Sequence, residues 1–357
     1  MKVPLKPHLK ALQRVRIGET SRAGFLRLDL NEGPGLPEAF VREALAGVDP
    51  EFLSCYPEYH RLKGLLARHA GIKPENISLA TGSDGAIKNI FEAFVGRGDR
   101  VLFTDPTFAM YPVYCRMFQA RPLKVPYGKD LSFPLEDFAA ALRPGLRLAV
   151  LVNPNNPTGT AVEPARILEL VRRARRHGTL FLVDEAYFYF CPKTMMPWVR
   201  RCDNLIVLRT FSKLCGLAAG RLGYAAAHPE VVDGLRRVKS VFDVNALAAH
   251  LAERLLERPA LLRRLTEDAA QGKRWLLSRL RAEGIPHVAG EANFVLIRSG
   301  RSLEPWLVRG LAERKVLVSG GFSHEGLRDC VRVTTGHRAA MERFWSAFLP
   351  VWRALAR

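Results

Sequence analysis

Two short segments carry side chains whose types and spacing suit chemistry on a small anionic ligand. Asp184-Glu-Ala-Tyr187 places a phenol three positions after a carboxylate, and Thr210-Phe-Ser-Lys213 combines two hydroxyls with a primary amine. Arg221 stands eight positions beyond that amine. A lysine forms Schiff bases when it is partly desolvated or lies near other cations. Because hydroxyls and a guanidinium donate to phosphate, the segments predict a phosphate-binding site with a Schiff-base lysine.

Two glycine-containing turns complete this set. Thr81-Gly-Ser-Asp-Gly85 opens a predicted helix, and backbone N–H groups at such a helix start bind phosphate. Asn153-Pro-Asn-Asn-Pro-Thr-Gly159 is the second turn. Asp184, at the end of a predicted buried strand, can hold a pyridine nitrogen protonated so that the ring accepts electrons. A phosphate cup, a lysine and an acidic partner are the combination that pyridoxal 5′-phosphate (PLP) requires.

Each of these motifs follows a short apolar run that predicts a strand. The strands are predicted at Ile77–Ala80, Arg100–Thr104, Leu146–Val152, Leu180–Val183, Leu205–Leu208 and Leu222–Ala226. Helical periodicity is clearest between them at Gly85–Phe94 and Glu163–His177, and it also precedes them at Pro37–Ala46 and Tyr59–Ala70. This alternation indicates βαβ units and a largely parallel sheet between helices. Ligands of such sheets bind at the carboxyl ends of the strands, where the motifs stand.

The rest of the chain predicts an N-terminal arm and a second, smaller domain. About the first 30 residues are predicted to be irregular, and the stretch from Val244 to Glu283 predicts long helix bridging two domains. Strands at 292–298 and 330–334, closed by a helix over 337–356, predict an α+β unit. We expect an arm over 1–36 that packs on the small domain or on a partner, a large domain over 37–245 and a small domain over 246–357.

Composition excludes several classes of protein. The 357 residues are 48% hydrophobic and 25% charged, which is typical of a globular protein with a large core. The longest apolar runs are far shorter than a membrane helix, and the basic N-terminus has no apolar segment typical of a secretory signal. The six cysteines form no closely spaced pair and no metal motif is visible, so we expect free thiols in the cytoplasm.

The chain is strongly basic, with 54 Lys and Arg against 35 Asp and Glu. This balance, a formal net charge of +19, favours anionic partners such as nucleic acid, acidic surfaces or small anions. The charge is spread over amphipathic stretches, and no zinc finger or RNA-recognition signature is present. We therefore expect solvated helix faces and no nucleic-acid partner.

Taken together, the motifs resemble those of fold-type-I PLP-dependent aminotransferases of classes I and II, within them the histidinol-phosphate aminotransferase branch. The match runs in order from about Asn31 to about Thr335. It implies an α/β, aspartate-aminotransferase-like fold, in which a large PLP domain has a mostly parallel sheet between helices and a smaller α+β domain follows. It also implies a homodimer with shared active sites. The activity implied is ping-pong transamination between a small amino donor and a keto or aldehyde acceptor, in amino acid biosynthesis.

The resemblance implies a role for each matching residue. Lys213 would bind PLP as a Schiff base and later move the proton at Cα, Asp184 would pair with the pyridine nitrogen, and Tyr187 would bind the ring's 3′ oxygen. Further cofactor contacts are implied for Ser83, Asp84, Phe108, Asn156, Thr210, Ser212, Arg221 and, from the partner subunit, Tyr56. Substrate contacts are implied for Arg332, which would clamp the α-carboxylate, and are expected of Asn31 and Asn293. Taken singly, many of these residues also have structural explanations, such as strand capping by Asn293 or core packing by Phe108.

Two departures from the resemblance concern the substrate. The segment before Arg332 usually carries an arginine that grips the substrate's phosphate, and here Ser319 stands at that place. The arm also lacks the usual aromatic lid residue, since Leu12-Gln-Arg-Val-Arg-Ile17 occupies its position. Another basic residue, such as Arg14, Arg16, Arg22 or Lys315, could replace the missing arginine. The substrate therefore stays open.

Three alternative functions compete with transamination. A decarboxylase resembling the threonine-phosphate decarboxylases shares the cofactor motifs, and the segment from Asp243 to Ala249 is faintly similar to that group. A non-catalytic protein on the same scaffold predicts loss of Lys213 or Asp184, and both are present. A nicotinamide-dependent oxidoreductase predicts a Gly-x-Gly-x-x-Gly turn, which is missing.

Overall fold

The computed structural model describes residues 4–10, 12 and 21–355. The strands are β1 (Leu26–Arg27), β2 (Ile77–Thr81), β3 (Arg100–Asp105), β4 (Arg121–Pro126), β5 (Leu146–Val152), β6 (Leu180–Asp184), β7 (Leu205–Thr210), β8 (Leu222–Ala227), β9 (His287–Val288), β10 (Phe294–Arg298), β11 (Val316–Leu317) and β12 (Cys330–Thr334). The helices are α1 (Glu38–Leu45), α2 (Pro50–Ser54), α3 (His60–Ala70), α4 (Gly82–Phe94), α5 (Met110–Met117), α6 (Leu135–Ala141), α7 (Pro164–Arg176), α8 (Pro229–Val238), α9 (Ala246–Leu256), α10 (Pro259–Ala282), α11 (Glu304–Glu313) and α12 (Arg338–Leu355). Within these described residues, none of the helices is long and apolar enough to cross a membrane.

A seven-stranded sheet in the order β2-β8-β7-β6-β5-β3-β4 forms the centre of the larger unit. All its strands are parallel except β8, which is antiparallel to both β2 and β7. The prediction of a largely parallel sheet is therefore confirmed, and all six predicted strands belong to it. The additional strand, β4, lies at the edge with most of its residues exposed.

Side chains alternate between two cores on the faces of this sheet. Along β5, Leu148 and Val150 pack on one face, whereas Ala149 and Leu151 pack on the other. Burial on both faces requires the nearly continuous apolar runs that predicted these strands. Because the sheet is buried on both faces, its polar side chains are concentrated at the strand ends.

The smaller unit has its own sheet and core. The strands β12, β10 and β9 form an antiparallel sheet in that order, and α10, α11 and α12 contribute to the core beside it. The predicted α+β character of this region is present. The predicted boundary between residues 245 and 246 stays a prediction. The helix α9, which follows that boundary, packs its buried alanines and leucines into the core of the larger sheet.

Two local predictions were wrong. The first 30 residues are not wholly irregular, because β1 pairs in parallel with β11 of the smaller unit. The stretch from Val244 to Glu283 is two helices, α9 and α10, rather than one. Pro259 begins α10, since proline fits the first turn of a helix but not its interior.

Candidate active site

A cavity of about 240 Å³ lies at the carboxyl ends of the central strands. It brings together twelve of the predicted site residues, namely Asn31, Ser83, Asp84, Phe108, Asn156, Asp184, Tyr187, Thr210, Ser212, Lys213, Arg221 and Arg332. Leu30, Val152 and Ala186 complete its wall. Residues separated by 301 positions in the chain therefore share one site, although the roles predicted for them stay predictions.

One end of the cavity is built to bind an anion. The helix α4 begins there, and the first N–H groups of a helix have no carbonyl partner within it. Gly82 has φ +74°, and a Cβ at this position would lie 2.8 Å from Nη2 of Arg221. The Thr210 and Ser212 hydroxyls lie 3.0 Å apart in the same wall. Helix N–H groups, two hydroxyls and a guanidinium together fit a phosphate.

Asp184 is the buried acid of the cavity. Its Oδ2 accepts a hydrogen bond from the Tyr111 hydroxyl at 2.8 Å, and its Oδ1 accepts from the backbone N–H of Ala186 at 3.1 Å. Burial raises the pKa of Asp184 to about 6, although these two donors favour the charged form. A cationic partner would stabilise the carboxylate further, as a protonated pyridine nitrogen does.

Lys213 supplies the amine. Its Nζ donates a hydrogen bond to the backbone carbonyl of Leu30 at 3.0 Å. Burial lowers the pKa of Lys213 to about 8, and the positive charge of Arg332 acts in the same direction. The neutral amine is therefore more abundant near neutral pH than that of an ordinary lysine, and the neutral amine is the form that attacks an aldehyde.

Arg332 forms the other wall and is almost fully buried. Its Nη1 donates to Asn156 Oδ1 at 2.6 Å and its Nη2 donates to the backbone carbonyl of Asp29 at 2.7 Å. The Nε is buried and has no hydrogen-bond partner among the residues that the structure describes. The guanidinium carbon lies 5.5 Å from the ring centroid of Phe294 and 5.8 Å from that of Phe322. A buried cation with an unused donor fits a carboxylate ligand.

Tyr187 and Asn31 meet beside the cavity. The Asn31 side-chain amide bonds to the Tyr187 hydroxyl at 2.8 Å, and Asn31 adopts φ 53° with almost no exposed surface. Burial raises the pKa of Tyr187 to about 12, so this phenol keeps its proton at neutral pH. Phe108 lines the cavity and packs edge-on against Tyr111, with ring centroids 6.2 Å apart.

The structure does not bring the other two predicted residues into the cavity. Asn293 is fully buried behind it, where its amide donates to the backbone carbonyl of Asn31 at 3.2 Å. Tyr56 lies on the surface with 76% of its area exposed and stacks on Phe242, with ring centroids 4.1 Å apart. Within one chain, therefore, Asn293 supports the wall of the cavity and Tyr56 does not touch it.

Two contributions to this site were not predicted from the sequence. Tyr111 donates directly to Asp184, and its position three residues after Phe108, at the start of a helix, was the available signal. Leu30 accepts a hydrogen bond from Lys213 through its backbone carbonyl, and the type of a residue does not predict such a backbone contact. Both depend on packing between segments that are distant in the chain.

Three features of the cavity fit PLP. The anion-binding end suits its phosphate, Lys213 suits its aldehyde and Asp184 suits its ring nitrogen. Gly82 leaves space beside Arg221 for the phosphate, and two donors hold the buried acid in place. This fold and this site define a PLP-dependent enzyme of fold type I.

Comparisons with known proteins identify the family. Residues 25–348 match the model of the family "Aminotransferase class I and II". The chain is 35% identical over 312 residues to a histidinol-phosphate aminotransferase of Caldanaerobacter subterraneus subsp. tengcongensis, covering 86% of this chain and 88% of that protein. It is 34% identical over 350 residues to a histidinol-phosphate aminotransferase of Moorella thermoacetica, covering 96% of this chain and 88% of that protein.

A solved structure gives the same result. The crystal structure of histidinol-phosphate aminotransferase from Sinorhizobium meliloti, in complex with PLP, superposes with a TM-score of 0.89 at 26% identity and covers 99% of both chains. The chain therefore belongs to the class I and II aminotransferase family. The predictions of the fold, of a PLP-dependent transaminase and of PLP as the cofactor are confirmed. The decarboxylase alternative is not favoured.

Proposed function

We propose that this aminotransferase takes an α-amino acid without a phosphate group as its donor and a 2-oxo acid as its acceptor. The observation that carries this proposal is the position of Ser319 beside Arg332. The two residues form an antiparallel pair, with Ser319 N–H donating to the Arg332 carbonyl at 3.1 Å and Arg332 N–H donating to the Ser319 carbonyl at 2.7 Å. Side chains directly opposite in such a pair lie on the same face, so Ser319 lies beside the proposed carboxylate clamp.

The residues of this site divide the work of transamination. Bound PLP supplies an electron sink that stabilises negative charge at the Cα of the amino donor. Lys213 would hold the cofactor, take the proton from Cα of the bound donor and return a proton later in the half-reaction. Asp184 holds the proton on the ring nitrogen, and Arg332 orients the α-carboxylate. The acceptor uses the same groups in reverse, which gives a ping-pong cycle.

Histidinol phosphate is the second candidate substrate, because the relatives at 34–35% identity carry that name. Two of the basic residues that could replace the missing arginine are already engaged. Arg22 bonds to Asp29 at 2.5 Å and lies 3.5 Å from a Glu32 oxygen, and the Lys315 amine lies 4.7 Å from the ring centroid of Phe25. Arg14 and Arg16 lie outside the described residues, as does most of the predicted lid position. Because Arg22 and Lys315 already contact other groups of the protein, their positions favour a donor without phosphate.

We expect histidinol phosphate to be a poor substrate of the wild-type enzyme. A charge-assisted bond from a guanidinium contributes ~1.5–3 kcal/mol, so its absence costs roughly 10- to 100-fold in kcat/KM. Ser319→Arg should recover that factor for histidinol phosphate and leave unphosphorylated amino acids unimproved. Steady-state kinetics on both substrate classes measure this, with Ser319→Gln as the uncharged control. Efficient turnover of histidinol phosphate by the wild type, unimproved by the arginine, would show that its phosphate is gripped elsewhere.

We further propose a cytoplasmic homodimer in which Tyr56 contacts the phosphate in the partner's site. Support comes from an exposed apolar surface around it, where Leu53, Val241 and Phe242 are 61%, 76% and 46% exposed. Patches of this kind commonly mark interfaces between proteins. The six cysteines, five of them buried, are all free thiols, in keeping with a reducing compartment.

Complementation between two defective chains tests the shared site. In a mixed dimer of Lys213→Ala and Tyr56→Phe chains, the site with the intact lysine would receive the intact tyrosine from the partner. We therefore expect subunit exchange to raise activity above the average of the two separate variants. Activity equal to that average, or a monomer in sedimentation at assay concentration, would contradict the proposal.

A further inference from the structure

A buried ion pair lies beneath the strand ends that carry the active-site residues. Arg209 Nε and Nη2 each donate to Glu185 Oε2 at 3.1 Å, and the two side chains are 6% and 1% exposed. Neither residue lines the cavity that holds Asp184 and Lys213. The pair is therefore charged, buried and separate from the groups that would touch PLP or substrate.

The alternation of side chains along a strand explains this placement. Glu185 directly follows Asp184, and Arg209 directly precedes Thr210, so each lies on the opposite face from its neighbour. Asp184 and Thr210 face the cavity. Glu185 and Arg209 consequently face the other side of the sheet, where Val183 and Val207 of the same two strands are buried in the core.

The pair links two adjacent strand ends. In the register of β6 and β7, Asp184 lies opposite Leu208, and the Glu185 N–H donates to the Leu208 carbonyl at 2.9 Å. Asp184 therefore lies at the end of β6. Thr210 ends β7, and the segment with Ser212 and Lys213 follows it.

Neighbouring groups hold the pair in one arrangement. The Met195 N–H donates to Glu185 Oε1 at 2.6 Å, and the Thr194 hydroxyl bonds to the same carboxylate while accepting from Arg209 Nη2 at 2.9 Å. The Arg209 guanidinium carbon lies 3.4 Å from the ring centroid of Phe188. Both charged groups therefore have several partners at short distance, which fixes their relative position.

Stability alone does not account for such a pair. Apolar residues of similar volume in place of a buried ion pair are often neutral or stabilising, because both charges must lose their water. Directional bonds, by contrast, fix distances in a way that apolar packing does not. We propose that Arg209 and Glu185 are positioning residues that set the distance from Asp184 to the segment from Thr210 to Lys213.

This spacing matters because one cofactor must meet both strand ends at once. PLP places its ring nitrogen on the Asp184 side and its phosphate and aldehyde on the side of the hydroxyls and the amine. A displacement of about 1 Å in such an arrangement can cost ~10²-fold in rate. The inference rests on the aminotransferase activity and on the PLP site, and it is independent of which amino donor the enzyme uses.

The decisive variant replaces both charges, as Glu185→Met with Arg209→Met. We expect its melting temperature to equal or exceed that of the wild type. Its PLP dissociation constant should rise about tenfold, the midpoint of the pH titration of the bound cofactor's visible absorption should shift, and kcat/KM should fall by ~10²-fold. Arg209→Lys keeps the charge but loses the forked geometry, so its losses should be smaller and in the same direction.

A second ion pair, whose side chains are 30% and 29% exposed, provides a control outside the cavity. Arg298 Nη1 contacts both carboxylate oxygens of Asp329 at 3.0 and 3.1 Å in the smaller unit, away from the cavity. Arg298→Met with Asp329→Met should leave the PLP dissociation constant and the absorption titration unchanged. PLP binding measured by equilibrium dialysis needs no amino donor, so this test does not depend on the proposed substrate.

Each outcome decides the proposal. Wild-type PLP affinity and an unshifted titration in the double Met variant would overturn it, whatever the melting temperature. If that variant does not fold, Arg209→Lys is read in the same way, and wild-type values there would overturn the proposal. Equal shifts in the control pair would also overturn it, because they would indicate a general effect of lost ion pairs. Failure to turn over unphosphorylated amino acids would contradict the proposed donor and leave these cofactor readouts intact.

Discussion

Lys213→Ala is expected to lower transamination by ~10⁴-fold or more while the protein still binds PLP without a covalent bond. Proton transfer by a positioned base contributes ~10²–10⁴-fold by itself, and the covalent attachment of the cofactor is lost in addition. The groups proposed to bind the phosphate include Thr210, Ser212 and Arg221, which are unchanged in this variant, so PLP should remain bound through them. Single-turnover kinetics and the visible absorption spectrum, with and without an added amino donor, measure both effects.

Lys273 is the internal control for covalent labelling of Lys213. Burial lowers the pKa of Lys273 to about 8, as for Lys213, but its Nζ bonds to the backbone carbonyls of Gly290 and Ala292 outside the cavity. Borohydride reduction of the PLP-bound wild type followed by peptide mapping should therefore label Lys213 and leave Lys273 unlabelled. Label on Lys273, or more than a few per cent of wild-type kcat in Lys213→Ala, would refute the assigned role.

The contents of this site could be predicted because each motif is local. Asp184 directly follows Val183, and Lys213 follows Leu208 after four intervening residues. Each predicted strand and the polar residues after it are therefore close together in the sequence. The carboxyl ends of parallel strands meet at one edge of a sheet, which brings such motifs together whatever their separation in the chain. Fold class and cofactor could therefore be reached before any contact was known.

Contacts that depend on distant packing were not predictable in the same way. β1 consists of two residues, and only its partner β11, almost 300 residues later, makes it a strand. β4 has two prolines and mostly exposed side chains, because an edge strand needs no continuous apolar run. The donation from Tyr111 to Asp184 likewise depends on the packing of α5 against the end of β6.

The break between α9 and α10 has a signal in the sequence, which is Pro259. Pro259 cannot occupy a helix interior without loss of a backbone hydrogen bond. The apolar periodicity on either side of it continues with little interruption, which favoured a single long helix. The consequence extends to domain organisation, because α9 packs with the larger core, whereas Leu276 and Leu280 in the C-terminal half of α10 pack in the smaller one.

Asp184→Ala is expected to weaken PLP binding strongly and to lower kcat by at least ~10³-fold. The carboxylate is proposed to hold the ring nitrogen protonated, and preorganised charge of this kind is often the largest single contribution to catalysis. Burial raises the pKa of Asp184 to about 6, which is still below pH 7.5, so the ionised form is the main form at that pH. The buried carboxylate is also kept apart from bulk water. Removal of the charge leaves the ring a weaker electron sink. Equilibrium dialysis of PLP and stopped-flow measurement of the first half-reaction give the two quantities.

Two further variants at position 184, and one at Tyr111, separate the effect of charge from that of shape. Asp184→Asn keeps the size of the side chain and loses its charge, so its kcat should be nearly as low as that of the alanine variant. Asp184→Glu keeps the charge in a shifted position and should be intermediate. Tyr111→Phe removes only the 2.8 Å hydrogen bond to the carboxylate, and a bond to a charged group contributes about 1.5–3 kcal/mol, so its loss should cost roughly 10- to 100-fold. If Asp184→Asn bound PLP and turned over like the wild type, the shape of the side chain and not its charge would be what the cofactor requires.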